Sequence, residues 1–409
     1  MPAEAARPAG SFSALAVLLV VVFINIAGFS LILPLLPFYG REFGASPVEV
    51  TMLFSAYSLG NIFGEIHWGR ASDKYGRKRV LMLTISCAAA SYVAFAFAPT
   101  LWIALLIRIV SGFFSGTLGV AQSYIADVTR PEDRARNMGY FGAAFNLGFA
   151  LGPALGGLLA RPEQGLAGFH PPIFAAAALA AGAALWAVFA LRESHAPGEA
   201  RPFPHYGDAF RFVGANPLLV RLFILAFAGI GSFASMEAVF GLWTERNFGW
   251  TTREVGLAFI AVGAAGFAVQ ALLIGPLSRR FGEARVIVVG LAVLALSMLL
   301  QPMLRTPVAA VALMSLLMAG HSLAFPNVGA LVSRATPREV QGSVLGLQMS
   351  SNALSRIVAP PFFGLIYVTA GPDAPYYAGA LLIGIAVLVA LQAVRIRDAQ
   401  LRAESGAAT

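Results

Sequence analysis

The sequence predicts an all-α membrane protein of twelve transmembrane helices in two pseudo-symmetric six-helix bundles. Three observations carry that prediction. The 409-residue chain is 58% hydrophobic and 12% charged, with mean hydropathy +0.75, whereas a soluble domain carries about 25% charged residues. Its apolar residues gather in long runs separated by short polar turns. Its basic residues fall almost entirely in alternate turns, the pattern that orients helices in a bilayer, so the net charge of +8 reflects orientation and not nucleic-acid binding.

A helix needs about 20 apolar residues to cross hydrocarbon. The first such run, 12–38, follows MPAEAARPAGS and is too long for a signal-peptide core, so it is expected to be retained. The second, 48–69, leads into the turn GRASDKYGRKRVL, whose five basic residues cannot lie in lipid. The third, 79–98, carries Cys87, the only cysteine, which excludes an internal disulfide and a cysteine metal cluster. Runs 101–126 and 137–160 carry Arg108 and a Gly-Pro bend, and 172–191 closes the first half. The longest loop, about 192–217, is rich in Pro, Arg and His. Beyond it, 218–244 carries Glu237, 252–277 ends in a second basic turn, 284–303 has no charged residue beyond Arg285 at its start, 308–331 carries His321, 341–370 carries Gln348, Asn352 and Arg356, and 374–394 is the last. The expected domains are residues 1–191, a cytoplasmic linker 192–217, and 218–409.

Of the 28 Lys and Arg, 21 lie on one side of this map, both termini included, and that side is predicted cytoplasmic. Five lie on the other side: Arg41, Arg161, Arg246, Arg253 and Arg305. Arg108 and Arg356 fall inside spans. The halves look duplicated, because Gly69, Ser72, Gly76 and Arg79 recur 206 residues on as Gly275, Ser278, Gly282 and Arg285, and Pro131 as Pro337. Two parallel repeats place a transport site near mid-membrane between them.

These residues resemble the major facilitator superfamily. Gly69, Asp73, Gly76, Arg77 and Lys78 fit its G-x-x-x-D-x-x-G-R-K/R turn, and Arg108 to Gly112 resembles its R-x-x-x-G element. Gly148 and the run Gly152-Pro153-Ala-Leu-Gly156-Gly157 look like the element associated with antiporters. Over nearly the whole chain, FINIAGFSLILPLLP, SYIADVTRPEDRARNMG and GPLSRRFGEAR included, the likeness is to the tetracycline-resistance branch of drug:proton antiporters. It implies a monomer in a bacterial inner membrane that uses a proton gradient, no cofactor and no metal, with a small-molecule substrate and the lipid bilayer as partners. It also implies a gate in which Asp73 sits near a helix N-terminus while Arg77 pairs with an acid at the end of helix 4, for which Asp127 is well placed. Where that branch carries aspartates in helices 1, 3 and 9 and a histidine in helix 8, this chain has Asn25, Ser91, Leu294 and Gly266. The metal-tetracycline and proton-coupling groups are therefore missing, and tetracycline is not predicted as the natural substrate.

Ionisable residues at membrane depth are functional candidates by default. Glu237 in SFASMEAVFGLW has no basic residue within a helical turn; it is the candidate proton-coupling group, or else a structural hydrogen-bonding residue. Arg108 either pairs with a carboxylate and modulates protonation or forms a packing ion pair. Gln348, Asn352 and Arg356, spaced by four, form a polar stripe expected to line the cavity. Asn25, Tyr57 and Gln122 are candidate substrate contacts in the first half, and Phe240 and Trp243 near Glu237 in the second. His321 is a titrating group or a core hydrogen-bonder. Glu65 and His67 sit near the basic turn and read as gate residues, with Gly69, Gly76, Gly152, Pro153 and Gly156 as its flexible and bending points. No G-x-x-x-x-G-K-[ST] or H-E-x-x-H occurs, and no Ser-His-Asp set can be placed. The function expected is proton-coupled antiport of an amphipathic organic compound by alternating access. The alternatives are organic-anion uptake or exchange on Arg108 and Arg356, and a non-transporting membrane scaffold.

Overall fold

The computed structural model describes residues 11–130, 133–194 and 206–406. Pro131, one member of the Pro131–Pro337 match, lies outside them. Regular structure among the described residues is entirely helical. The elements are α1 (Ser11–Ile32), α2 (Leu36–Glu42), α3 (Pro47–Tyr75), α4 (Arg77–Ala96), α5 (Leu101–Phe113), α6 (Thr117–Val128), α7 (Arg134–Leu159), α8 (His170–Ala190), α9 (Tyr206–Ala215), α10 (Pro217–Phe248), α11 (Thr252–Ala268), α12 (Ile274–Phe281), α13 (Glu283–Leu300), α14 (Pro307–Arg334), α15 (Arg338–Ala370) and α16 (Ala374–Gly406).

Three expected single spans are interrupted, each for a visible reason. Pro34 and Pro37 lack the N–H that an α-helix needs, so α1 passes through a tight turn, Leu33–Leu35, before α2. The fourth span breaks between α5 and α6 at residues 114–116, where Gly112 and Gly116 press on the backbone of α3. The eighth span carries a wide π turn, Val269–Leu273, between α11 and α12. The linker carries the ten-residue helix α9, which lies against α10 and α15.

Eleven helical spans among the described residues are long and apolar enough to cross a membrane. The twelfth expected span is α3. Its 29 residues reach about 43 Å, but polar Tyr57, Ser58, Asn61 and Glu65 interrupt its apolar run.

Helix contacts repeat between the halves. The pairs α1 with α7, α3 with α5 and α4 with α8 correspond to α10 with α15, α11 with α14 and α13 with α16. The halves themselves meet along α3 with α15 and α7 with α11. Call the end of the bundle that holds the 69–81 turn the basic end. At the opposite end the halves touch backbone to backbone. A Cβ on Gly157 would lie 2.5 Å from the Thr252 carbonyl oxygen, and one on Gly256 2.6 Å from that of Pro153. One on Gly364 would lie 2.5 Å from Thr51 Oγ1. An Arg41–Glu245 ion pair joins α2 to α10 there. Toward the basic end Gly142 faces open space on the cavity wall.

Candidate functional site

A cavity of about 410 Å³ lies between the two halves, lined by side chains from both. Each polar group arrives by a local sequence feature. Gly112, one turn after Arg108, lets α5 settle on α3: a Cβ there would lie 1.9 Å from the Tyr57 carbonyl oxygen. That contact carries Arg108 across α3, where its Nε–H donates to the Leu53 carbonyl at 3.2 Å and its guanidinium lies 4.6 Å from the Tyr57 ring centroid. Arg108 is 2% exposed, and its Nη1 is buried with no hydrogen-bond partner. The expected carboxylate partner is not there: no acid lies within ion-pair distance among the described residues.

From the second half, α10 brings Glu237, whose Oε1 is likewise buried and unpartnered. The His321 ring lies between Phe233 and Phe325, at 4.2 and 4.5 Å between centroids. Arg356 lines the cavity from α15, and its carbonyl accepts the Ser55 hydroxyl of α3 at 3.3 Å, a bond between the halves. Asn25 and Tyr57 line the cavity as well. So does Glu65, which sits deeper than a gate residue beside the basic turn would, because the cavity follows α3 toward the basic end. His67 is exposed and packs edge-on against Trp68 at 4.8 Å.

Five expected contacts are placed elsewhere. Gln348 and Asn352 line a second cavity of about 330 Å³ between α10, α14 and α15, where Asn352 Oδ1 has no partner. A spacing of four turns a helix about 40° past a full revolution, so Asn352 and Gln348 have rotated away from Arg356 by one and two such steps. Phe240 and Trp243 are fully buried, one and two turns nearer the closed end than Glu237. Phe240 packs on Trp250 and Phe259. The Trp243 indole N–H donates to Asp373 Oδ1 at 2.8 Å. Gln122, half-buried on α6, does not reach the central cavity.

Residues the sequence did not single out complete the wall. Gln270, at the π turn, accepts a hydrogen bond from Asn146 of α7 and so joins the halves at the cavity wall, on the side toward the basic end. Turns of this type recur at functional sites; the one available signal was a lone glutamine in an apolar run. Asn61 donates to Ser115 Oγ at 2.8 Å, and Ser111 donates to Ser91 Oγ at 2.8 Å. Leu294 and Gly266 are packing positions: Leu294 is fully buried, and a Cβ on Gly266 would lie 2.8 Å from Met318 Cε.

At the basic end, Arg77 is 2% exposed. Its guanidinium meets Asp73 at 2.6 Å, Asp127 at 3.1 Å and Ser72 Oγ at 2.5 Å. The Glu193 carboxylate, from just after α8, accepts the backbone N–H groups of Arg77 at 2.7 Å and Lys78 at 3.3 Å. Gly76 has φ +99°, and a Cβ there would lie 2.4 Å from Glu193 Oε2. Gly69 closes the same turn, its carbonyl accepting Ser72 Oγ–H at 2.7 Å. On α7, Gly152 and Gly156 press against α1 while Pro153 abuts Gly256 of α11. The bend element thus touches both halves at once.

A family model described as Major Facilitator Superfamily matches residues 18–269 and 223–408. Over 407 residues the chain is 33% identical to the tetracycline resistance protein, class C, of Escherichia coli, covering 97% of this chain and 99% of that one. Over 357 residues it is 26% identical to multidrug resistance protein 2 of Bacillus subtilis strain 168, covering 86% and 88%. Among solved structures, a bacterial homologue of the human lysosomal transporter Spinster, inward-facing and occupied, matches with TM-score 0.76 at 16% identity. That match covers 95% of this chain and 98% of the other, and at such identity it speaks for the fold alone.

Proposed function

Because the chain belongs to the major facilitator superfamily, and is therefore a membrane transporter and not an enzyme, we propose that it exports an amphipathic organic compound from a bacterial cell in exchange for protons. The observation that carries this reading is Glu237, a carboxyl with a buried, unpartnered oxygen on a cavity shared by both halves. A lone carboxyl there can take up and release a proton as the halves rock, without first breaking an ion pair. The names of the relatives, resistance to tetracycline and to multiple drugs, support export. With the basic end in the cytoplasm, the cavity loads from inside while the opposite end is closed. Asn25, Tyr57, His321 and Arg356 are the proposed substrate contacts, and Arg108 modulates coupling. The Asp73–Arg77–Asp127 cluster is the proposed gate, with Gly152, Pro153 and Gly156 as the bend on which α7 moves.

Purified protein in liposomes, with a pH gradient and an amphipathic fluorescent dye, tests the coupling role. Glu237→Gln is expected to abolish gradient-driven dye accumulation while keeping the unfolding midpoint of the parent protein in micelles. Full gradient-driven transport by that variant would remove Glu237 from the mechanism. A second reading, transport of an organic anion on Arg108 and Arg356, draws on the unpartnered Arg108 Nη1. Inhibition by organic cations alone would count against it.

A further inference from the structure

We propose that the central cavity takes a zwitterionic aromatic amphiphile, with its anionic group on the Arg108 wall and its ammonium on the Glu237 wall. This rests on the transporter reading and names its substrate class. Four residues of fixed charge type line the cavity: Glu65, Arg108, Glu237 and Arg356. They comprise two acids and two bases, and no two of opposite sign come within 4.0 Å. The formal charge of the site is therefore balanced while its charges stay apart. A ligand of one sign would leave an uncompensated charge in a mostly apolar chamber, which is costly. A ligand carrying both signs leaves none.

The two unpartnered groups also belong to different halves. The Arg108 guanidinium on α5 faces the Tyr57 ring, and no carboxylate among the described residues lies within ion-pair distance of it. Arg108 Nη1 is thus a buried donor without an acceptor. Across the cavity, on α10 of the other half, Glu237 Oε1 is an acceptor without a donor. Each orphan group waits for a partner of the opposite kind, and leaving such groups unmade is penalised. Much of the remaining cavity wall is aromatic, with the Phe29–Tyr57 and Phe233–His321 rings paired at 4.7 and 4.2 Å. That surface suits a flat apolar body.

A matched biphenyl series separates the possibilities on the full-length purified protein. The zwitterion is 4′-(aminomethyl)biphenyl-4-carboxylate, and its controls are the 4′-methyl carboxylate, the 4′-methyl amine and the 4′-methyl alcohol. The zwitterion is expected to bind more tightly than either singly charged member by at least about tenfold. Arg108→Gln should remove the gain from the carboxylate and spare the gain from the amine, and Glu237→Gln should do the reverse. Arg108→Lys keeps the charge and should retain the carboxylate preference, which guards against a merely misfolded Gln variant. Equal binding of the carboxylate and the zwitterion would replace this proposal with the organic-anion reading. Equal binding of the amine and the zwitterion would replace it with a cation site. Equal binding, or no binding, of all four would overturn it outright. Liposome flux separates the levels: protein-dependent flux without a zwitterion preference sinks only this inference, whereas no flux of any member or of an amphipathic dye sinks the transporter reading.

Discussion

In the first half, Arg77 at the start of α4 bridges to Asp127 near the end of α6, whereas 206 residues on, Glu283 at the start of α13 bridges to Arg334 at the end of α14 at 2.9 Å. The helix pair joined by the bridge is retained, with Arg334 one residue beyond the counterpart of Asp127, and its sign is reversed. A helix start carries partial positive charge and a helix end partial negative charge. Glu283 and Arg334 therefore each sit with their helix dipole, and Arg77 and Asp127 each sit against theirs. The second bridge is also wet, with Arg334 65% exposed, while Arg77 is buried. The first bridge persists because other groups supply what the dipoles do not: Asp73, four residues before Arg77 on α3, and Glu193, remote in sequence, on the N–H groups that open α4. One turn has thus become two devices. The copy clamps α13 to α14 by itself. The original holds only while α3, α4, α6 and the segment after α8 stay together, which is what a releasable gate requires.

Replacing Arg77 by Met should give the largest effect, because Asp73 and Asp127 would be left without their cation. A loss of about 3 kcal/mol is expected, read as a lower unfolding midpoint in micelles, together with loss of transport. A loss under a third of that would mean the first bridge is no stronger than its copy. Gly76→Ala comes next, at about 2 kcal/mol, since it combines a positive φ with a collision against Glu193. Gly282→Ala keeps the positive φ, +80°, but meets open space, so about 1 kcal/mol is expected. Equal costs for these two glycines would break the comparison. Glu193→Gln should cost about 1 kcal/mol through the α4 start and should weaken the gate without touching the cavity. Smallest of all, Glu283→Gln should cost less than about 1 kcal/mol and fade in high salt. A salt-independent loss would show the copy to be more than a surface pair.

Much of this was readable beforehand because its causes are local. Twelve spans, their alternation of basic turns and the duplication follow from apolar run length and from charges that lipid cannot accept. The acid expected opposite Arg77 was also legible, because the turn resembles the family's own and Asp127 stands at the end of the fourth span. Glu193 was not, since nothing within the segment that follows α8 announces the helix start it caps. The cavity was half legible. Asn25, Tyr57, Arg108, Glu237, His321 and Arg356 stood out as polar groups in apolar runs. Depth and drift misplaced others: Phe240 lies close to the Glu237 face but above the cavity, and Gln348 has rotated into a second cavity.

Sequence alone determined that the chain spans a membrane as two related halves with few charges at depth, because the cost of placing a residue in hydrocarbon depends on that residue and its neighbours in the chain. Only the tertiary structure decided which of those charges have partners. Among the described residues Arg108 was expected to find a carboxylate and has none, while Arg77, in the basic turn, has two, and that outcome depends on how separate helices approach one another. Small residues such as Gly112 and Gly76 set those approaches at contacts far apart in sequence.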